Sequence, residues 1–265
     1  MTSSPLLSAA KARRRRPASI ALPLLLAACA AGSQGPQTAK VDGDVYGPSR
    51  GTGVETVIVV LAEANALVTP APNRSFAAAA ARAIPTSAAI ALPPIDELDP
   101  AADGYGTRVV AAAGESIASL RARYPRARIV IVGDSGAAAL AANLAGVQPQ
   151  LVDGLVLVSC PCALPEWRAH MKGQGSNVIS AATSAGLDPL KTAGGIAPTL
   201  RAAVVVGADD AVTPVKFSRA YAEALALRGV ATDYRIVPGK GHGLLDDPEV
   251  LAATERLAAA LQGKI

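Results

Sequence analysis

The sequence predicts an α/β protein: a mostly parallel, doubly wound sheet with helices on both faces. Three observations carry that prediction. Short apolar runs rich in Val, Ile and Ala alternate with alanine-rich stretches of helical density from residue 56 to the C-terminus. The apolar runs are continuous, as in strands buried on both faces. Only 3 % of residues are aromatic while 51 % are hydrophobic, which suits small side chains packed closely between helix and sheet. A chain of 265 residues with this apolar content can bury one large core, so one main domain is expected.

Each element follows from its own run. "TVIVVLAEAN" opens the domain with a buried strand over 56–62, "RSFAAAAARAI" is a helix, and "SAAIALP" is a second strand. "TRVVAAAGESIASLRARY" reads as a long amphipathic helix with Val109, Ala113, Ile117 and Leu120 on one face. "RIVIV" over 128–132 is a strand that stops at Gly133, and Asp134, Ser135 and Gly136 lead into another helix. "LVDGLVLVSC" and "RAAVVVGADD" are strands separated by an irregular segment, 161–199, in which Gly173, Gly175, Gly186, Gly194 and Gly195 point to a cap. "KFSRAYAEALALRG" is a helix closed by Gly229, "TDYRIVPG" a strand, and "DDPEVLAATERLAAALQG" a last helix with Pro248 in its first turn.

The formal charge of +4 belongs to the N-terminus. Lys11, Arg13, Arg14, Arg15 and Arg16 come before the first acidic residue, Asp42, and the rest of the chain carries 20 basic against 21 acidic residues. Near-neutral charge and few aromatics argue against a nucleic-acid partner. "KARRRRPASIALPLLLAAC" has the order of an export signal, with basic residues, a short apolar stretch and small residues. The apolar part, 18–28, is too short for a permanent span, which needs about 20 residues. Leu26-Ala27-Ala28-Cys29 resembles the lipobox of bacterial lipoproteins, in which the cysteine thiol takes a diacylglyceryl group. The expected organisation is a signal peptide over 1–28, a Gly/Ser/Pro-rich tether over 29–55, and the folded domain over 56–265. The protein would be exported and lipid-anchored at Cys29 in the cell envelope, touching membrane only through that anchor, with plain secretion as the alternative. Of the other cysteines, Cys160 and Cys162 flank Pro161; they are expected as buried small apolar side chains, reduced or bonded to a partner, or joined in an unusual small ring.

In an open parallel sheet, ligands gather at the carboxyl ends of the strands. Ser135 stands at one such end, Asp209 and Asp210 at another, and His242 in "GKGHGLL" at a third. Ser135 alone would also serve as a helix N-cap. A serine needs a base to take its proton, however, and an imidazole needs a carboxylate to fix its tautomer, and three separate loops offer these groups together.

At these residues the sequence resembles the α/β-hydrolase superfamily: a Gly-x-Ser elbow, a Gly-x-x-Asp turn at Gly207–Asp210, and a Gly-His-Gly loop, within residues 56–262. The resemblance implies Ser135 as nucleophile, Asp210 as acid, His242 as base, and the N–H groups of Gly136 and Ala64 as the oxyanion hole. It implies a serine hydrolase of carboxylic esters acting through an acyl-enzyme on a small-molecule substrate, without cofactor or metal; thioesters, amides and short peptides share that chemistry. Two positions depart from the pattern. Ala137 replaces the last glycine of Gly-x-Ser-x-Gly, and "LAEANA" stands where the first strand would lead into His-Gly. Glu63 thus places a carboxylate where negative charge would develop. The rival expectation is a non-catalytic ligand-binding lipoprotein on the same fold. Around the cap, Leu164, Trp167 and Met171 would form either a pocket wall or core.

Overall fold

The continuous apolar runs become the strands of a single sheet. In the computed structural model, which describes residues 43–48, 53–63, 69–95, 106–175 and 186–263, the strands are β1 (Asp44–Tyr46), β2 (Thr56–Val60), β3 (Ser87–Ala91), β4 (Arg128–Asp134), β5 (Gly154–Val158), β6 (Arg201–Gly207) and β7 (Ala231–Val237). They lie in the order β1-β3-β2-β4-β5-β6-β7. All neighbouring pairs from β3 to β7 are parallel; β1 alone runs antiparallel, on β3. The expected doubly wound sheet is therefore present. The strand Asp44–Tyr46 corrects part of the expected tether, because Asp44, Val45 and Tyr46 pair with Ala91, Ile90 and Ala89. Its side chains gave no apolar pattern, and its place comes from the open edge of β3. The export signal, Cys29 and Ala64 lie outside the described residues.

Because successive strand residues face opposite sides, one run feeds two cores. Val57, Val59, Ile129, Ile131 and Leu155 pack on one side with residues of α2 (Thr107–Arg123), α3 (Gly136–Val147) and α6 (Val215–Leu227). Ile58, Val60, Val130, Val132 and Val156 pack on the other with α1 (Ala71–Ala83) and α7 (Pro248–Leu261). Helix α3 is the most deeply set, with every residue from Ala137 to Ala145 buried. Gly133 is what lets its first turn lie so close to β4: a Cβ there would overlap the backbone of Ala137 and Ala138.

The irregular segment carries two short helices, α4 (Leu164–Gly173) and α5 (Pro189–Thr192). It is tied to α3 by Asn143, which donates to the Leu187 carbonyl at 3.0 Å and accepts from the Thr192 hydroxyl at 2.9 Å. Leu164 proves to be core, at 0 % exposure. Cys160 and Cys162 are buried as expected but are joined in a disulfide, which corrects the preferred reading of free thiols. Ser159 takes a left-handed φ of 46°, and the two Cα atoms come to 5.1 Å, inside the ordinary range for a disulfide.

The upper rim of the sheet is level because each strand gives one more ladder bond to its neighbour: Leu61 N–H to Val132, Ser135 N–H to Val158, Ser159 N–H to Val205 and Ala208 N–H to Val237. The functional loops leave from this rim. At the opposite end Asp153 binds Arg121 and Arg128, beside a cavity of about 650 Å³ that Arg201 also lines. Among the described residues, no helix is long and apolar enough to cross a membrane.

Candidate active site

Ser135 stands between β4 and α3 with φ 54° and ψ −121°, a strained conformation for a residue with a Cβ. Its side chain makes no capping hydrogen bond to the helix. Its Oγ lies instead 3.2 Å from His242 Nε2. The helix-cap reading is thereby replaced by an elbow that lifts the hydroxyl above the sheet edge.

His242 comes from the loop after β7, and its Nδ1 is 3.0 and 3.2 Å from the two carboxylate oxygens of Asp210. With Nδ1–H donated to Asp210, Nε2 is left to accept from Ser135. Asp210 was preferred to Asp209 on its place in the Gly207 turn, and the structure gives it that place: Asp210 is buried and Asp209 exposed. The loops after β6 and β7 approach closely enough that a Cβ on Gly207 would overlap the carbonyls of Lys240 and Gly241. Asp209 N–H donates to the Lys240 carbonyl at 2.9 Å, fixing the two loops together.

Asp210 is held by more than the imidazole. The N–H groups of Val212 and Thr213 donate to Oδ1 at 3.0 and 2.7 Å, and the Thr213 hydroxyl donates to Oδ2 at 2.7 Å. Burial alone would raise its pKa, but these donors and His242 outweigh burial and hold the carboxyl well below the usual range. The bond to Asp210 raises the pKa of His242; burial opposes this, and the carboxylates of Asp210, Asp134 and Glu63 add to the rise. Thr213 was not singled out in the sequence, although a hydroxyl three residues after a turn aspartate is a recognisable cue.

Asp134 is a second group that the sequence left without a role. Burial pushes its carboxyl up to about 6, against the pull of His242, and its Oδ1 is buried without a hydrogen-bond partner. Gly136 and Glu63 meet directly: the Gly136 N–H donates to Glu63 Oε1 at 3.0 Å. Glu63 follows β2, the neighbour of β4, so the contact spans the point where strand order reverses. Among the described residues, no group of three or more His, Cys, Asp or Glu is arranged to hold a metal ion.

The other histidine, His170, belongs to α4, where its Nε2 is 2.8 Å from the Ala211 carbonyl; Trp167 Nε1–H donates to Val212 at 2.9 Å. Both therefore clamp the cap helix on the loop that carries Asp210, and Trp167 also packs against the core.

The fold superposes on those of solved enzymes. A truncated carbohydrate esterase from gut microbiota superposes with a TM-score of 0.62 at 16 % identity, over 83 % of this chain and 90 % of that one. The fold is that of the α/β-hydrolases. Other structures with this hydrolase fold include a proline iminopeptidase from Mycobacterium smegmatis, with TM-score 0.62 and 13 % identity over 84 % of this chain and 95 % of the other. An acetyl ester-xyloside bifunctional hydrolase from Caldicellulosiruptor lactoaceticus gives 0.59 and 17 % over 84 % and 88 %. No protein-family model and no curated protein matches the sequence.

Proposed function

We propose that this chain is a serine hydrolase acting on carboxylic esters, with thioesters and amides open to the same chemistry. The observation that carries the proposal is the unbroken line Ser135 Oγ, His242 Nε2, His242 Nδ1, Asp210, standing on a strained elbow. In the proposed cycle His242 Nε2 takes the Ser135 proton as Oγ bonds to the acyl carbon. The carbonyl oxygen becomes an oxyanion held by the Gly136 N–H and, by position in the family pattern, by Ala64. The bond to the leaving alcohol breaks as His242 returns the proton to it. Water, deprotonated by His242, then releases the acid and restores Ser135. Solved esterases on the same fold support this reading.

A fluorophosphonate tests it without knowledge of the substrate. One label per chain is expected on Ser135, absent in Ser135→Ala and strongly slowed in His242→Ala and Asp210→Asn, with Asp209→Asn far less affected. The hydrogen bond between Gly136 and Glu63 favours a second reading, a ligand-binding lipoprotein whose oxyanion hole no longer serves catalysis. Folded protein that takes no label, even with Glu63 replaced by alanine, would decide for it. In either reading we place the chain in the cell envelope through lipid on Cys29; Cys29→Ala should then move it from the membrane fraction to soluble or unprocessed forms, and unchanged fractionation would refute the anchor.

A further inference from the structure

The contact between Glu63 and Gly136 involves the very donor that an ester hydrolase needs. At the elbow, the Ser135 N–H is committed to Val158, and the N–H groups of Ala138 and Ala139 turn back onto the Ser135 carbonyl. The Gly136 N–H is the one aimed at Glu63, and it carries the carboxylate at ordinary hydrogen-bond length, 3.0 Å. The strand geometry brings the acid there. Leu61 N–H is bonded to Val132 of β4, so two residues later the chain passes beside the elbow. Asp134, beside the same elbow, is close enough that Glu63 helps to raise its pKa, and His242 supplies the opposing positive charge. A carboxylate on this N–H, facing the imidazole, has the form of the carboxylic acid product of the reaction.

We infer that Glu63 is an internal stopper of the oxyanion site: its carboxylate holds the Gly136 N–H in the empty enzyme, and an acyl carbonyl must displace it before Ser135 can attack. The inference rests on the serine-hydrolase reading and adds to it a competition within the chain. An N–H bonds a charged carboxylate more strongly than the neutral carbonyl of an incoming ester. The site therefore spends most of its time closed, and the apparent rate constant for acylation falls by the fraction of molecules in which Glu63 is away.

The experiment measures the second-order rate constant for fluorophosphonate labelling of Ser135 in the whole chain and in three variants. Glu63→Ala removes the stopper and should label about tenfold faster or more, up to the roughly 100- to 1,000-fold that one oxyanion donor supplies. Glu63→Gln keeps the shape and loses the charge, and Glu63→Asp keeps the charge and draws it back by one methylene; both should fall between wild type and Glu63→Ala. Thermal unfolding of each variant shows that it is folded, and Glu63→Gln carries the same test should Glu63→Ala fail to fold. Wild-type labelling that these substitutions leave unchanged or slow down overturns the stopper and leaves the hydrolase reading standing. Absence of label from wild type and every Glu63 variant overturns both. Label in Glu63→Ala without label in wild type is the strongest form of the expected result.

Discussion

Replacing Asp134 by asparagine should stabilise the fold at pH 8 and change it little near pH 4. The carboxyl titrates at about 6 in the folded chain against 3.8 for an ordinary aspartate, chiefly because burial disfavours its charged form. Between those two values the folded state binds more protons than the unfolded state, so stability falls as pH rises. At 1.36 kcal/mol for each pH unit between the two values, the ionised carboxylate costs the fold about 3 kcal/mol once pH is well above 6. Asparagine keeps the size of the side chain and abolishes the ionisation. Urea unfolding of wild type and Asp134→Asn, with the disulfide intact, should show the stability difference growing from near zero at pH 4 to about 3 kcal/mol at pH 8. A difference that stays level within about 1 kcal/mol across that range would refute the desolvation of the Asp134 carboxyl beside the elbow.

Two further outcomes follow from the hydrogen bonds around His242. Only the neutral imidazole can take the Ser135 proton, and Asp210 raises its pKa, so kcat/KM should rise with pH through an apparent value above the ordinary 6.5 and then level off; Asp210→Asn should move that limb to lower pH, and a profile flat from pH 5 to 9 with chemistry rate-limiting would refute a histidine base. Thr213→Val removes the hydroxyl donor to Asp210 and should lower kcat/KM about tenfold while costing about 1–3 kcal/mol of stability, measured by ester turnover and urea unfolding; unchanged values in both would show that the backbone donors suffice.

Much of this architecture could be read from the chain. Long buried strands and their helices announce themselves by continuous apolar runs, and β2 through β6 are each visible that way, whereas β7 mixes polar and apolar residues as a half-exposed edge strand does. Asp44–Tyr46 was not, because three residues of mixed polarity carry no period; only the unpaired edge of β3 gives them a place. The same division holds at the site. Ser135, Asp210 and His242 were legible since each lies in the turn or loop that leaves the carboxyl end of a strand in a parallel sheet, where position along the chain fixes position on the rim. The contacts of Thr213, Asp134 and Glu63 were less legible: they depend on how closely separate loops approach, which no local pattern encodes. For Cys160 and Cys162 the sequence reading weighed a bridge across one residue as strained, whereas their Cα atoms stand 5.1 Å apart, inside the ordinary range for a disulfide.

The close approach at Gly207 divides the site into two mechanical bodies. Asp210 and His242 sit on the loops after β6 and β7, strands that pair along seven residues and whose loops interlock, so the two side chains belong to one piece. Ser135, the proposed nucleophile, belongs to the other piece, carried by β4 and the buried α3, with β5 between them as a spacer. The 3.2 Å contact from Ser135 to His242 joins the two pieces, while the contact from His242 to Asp210 lies within one of them. Substitutions far away in the β5 layer would thus act on proton transfer from the serine and leave the pairing of imidazole and carboxylate untouched, as a hinge alters the gap between two plates without bending either.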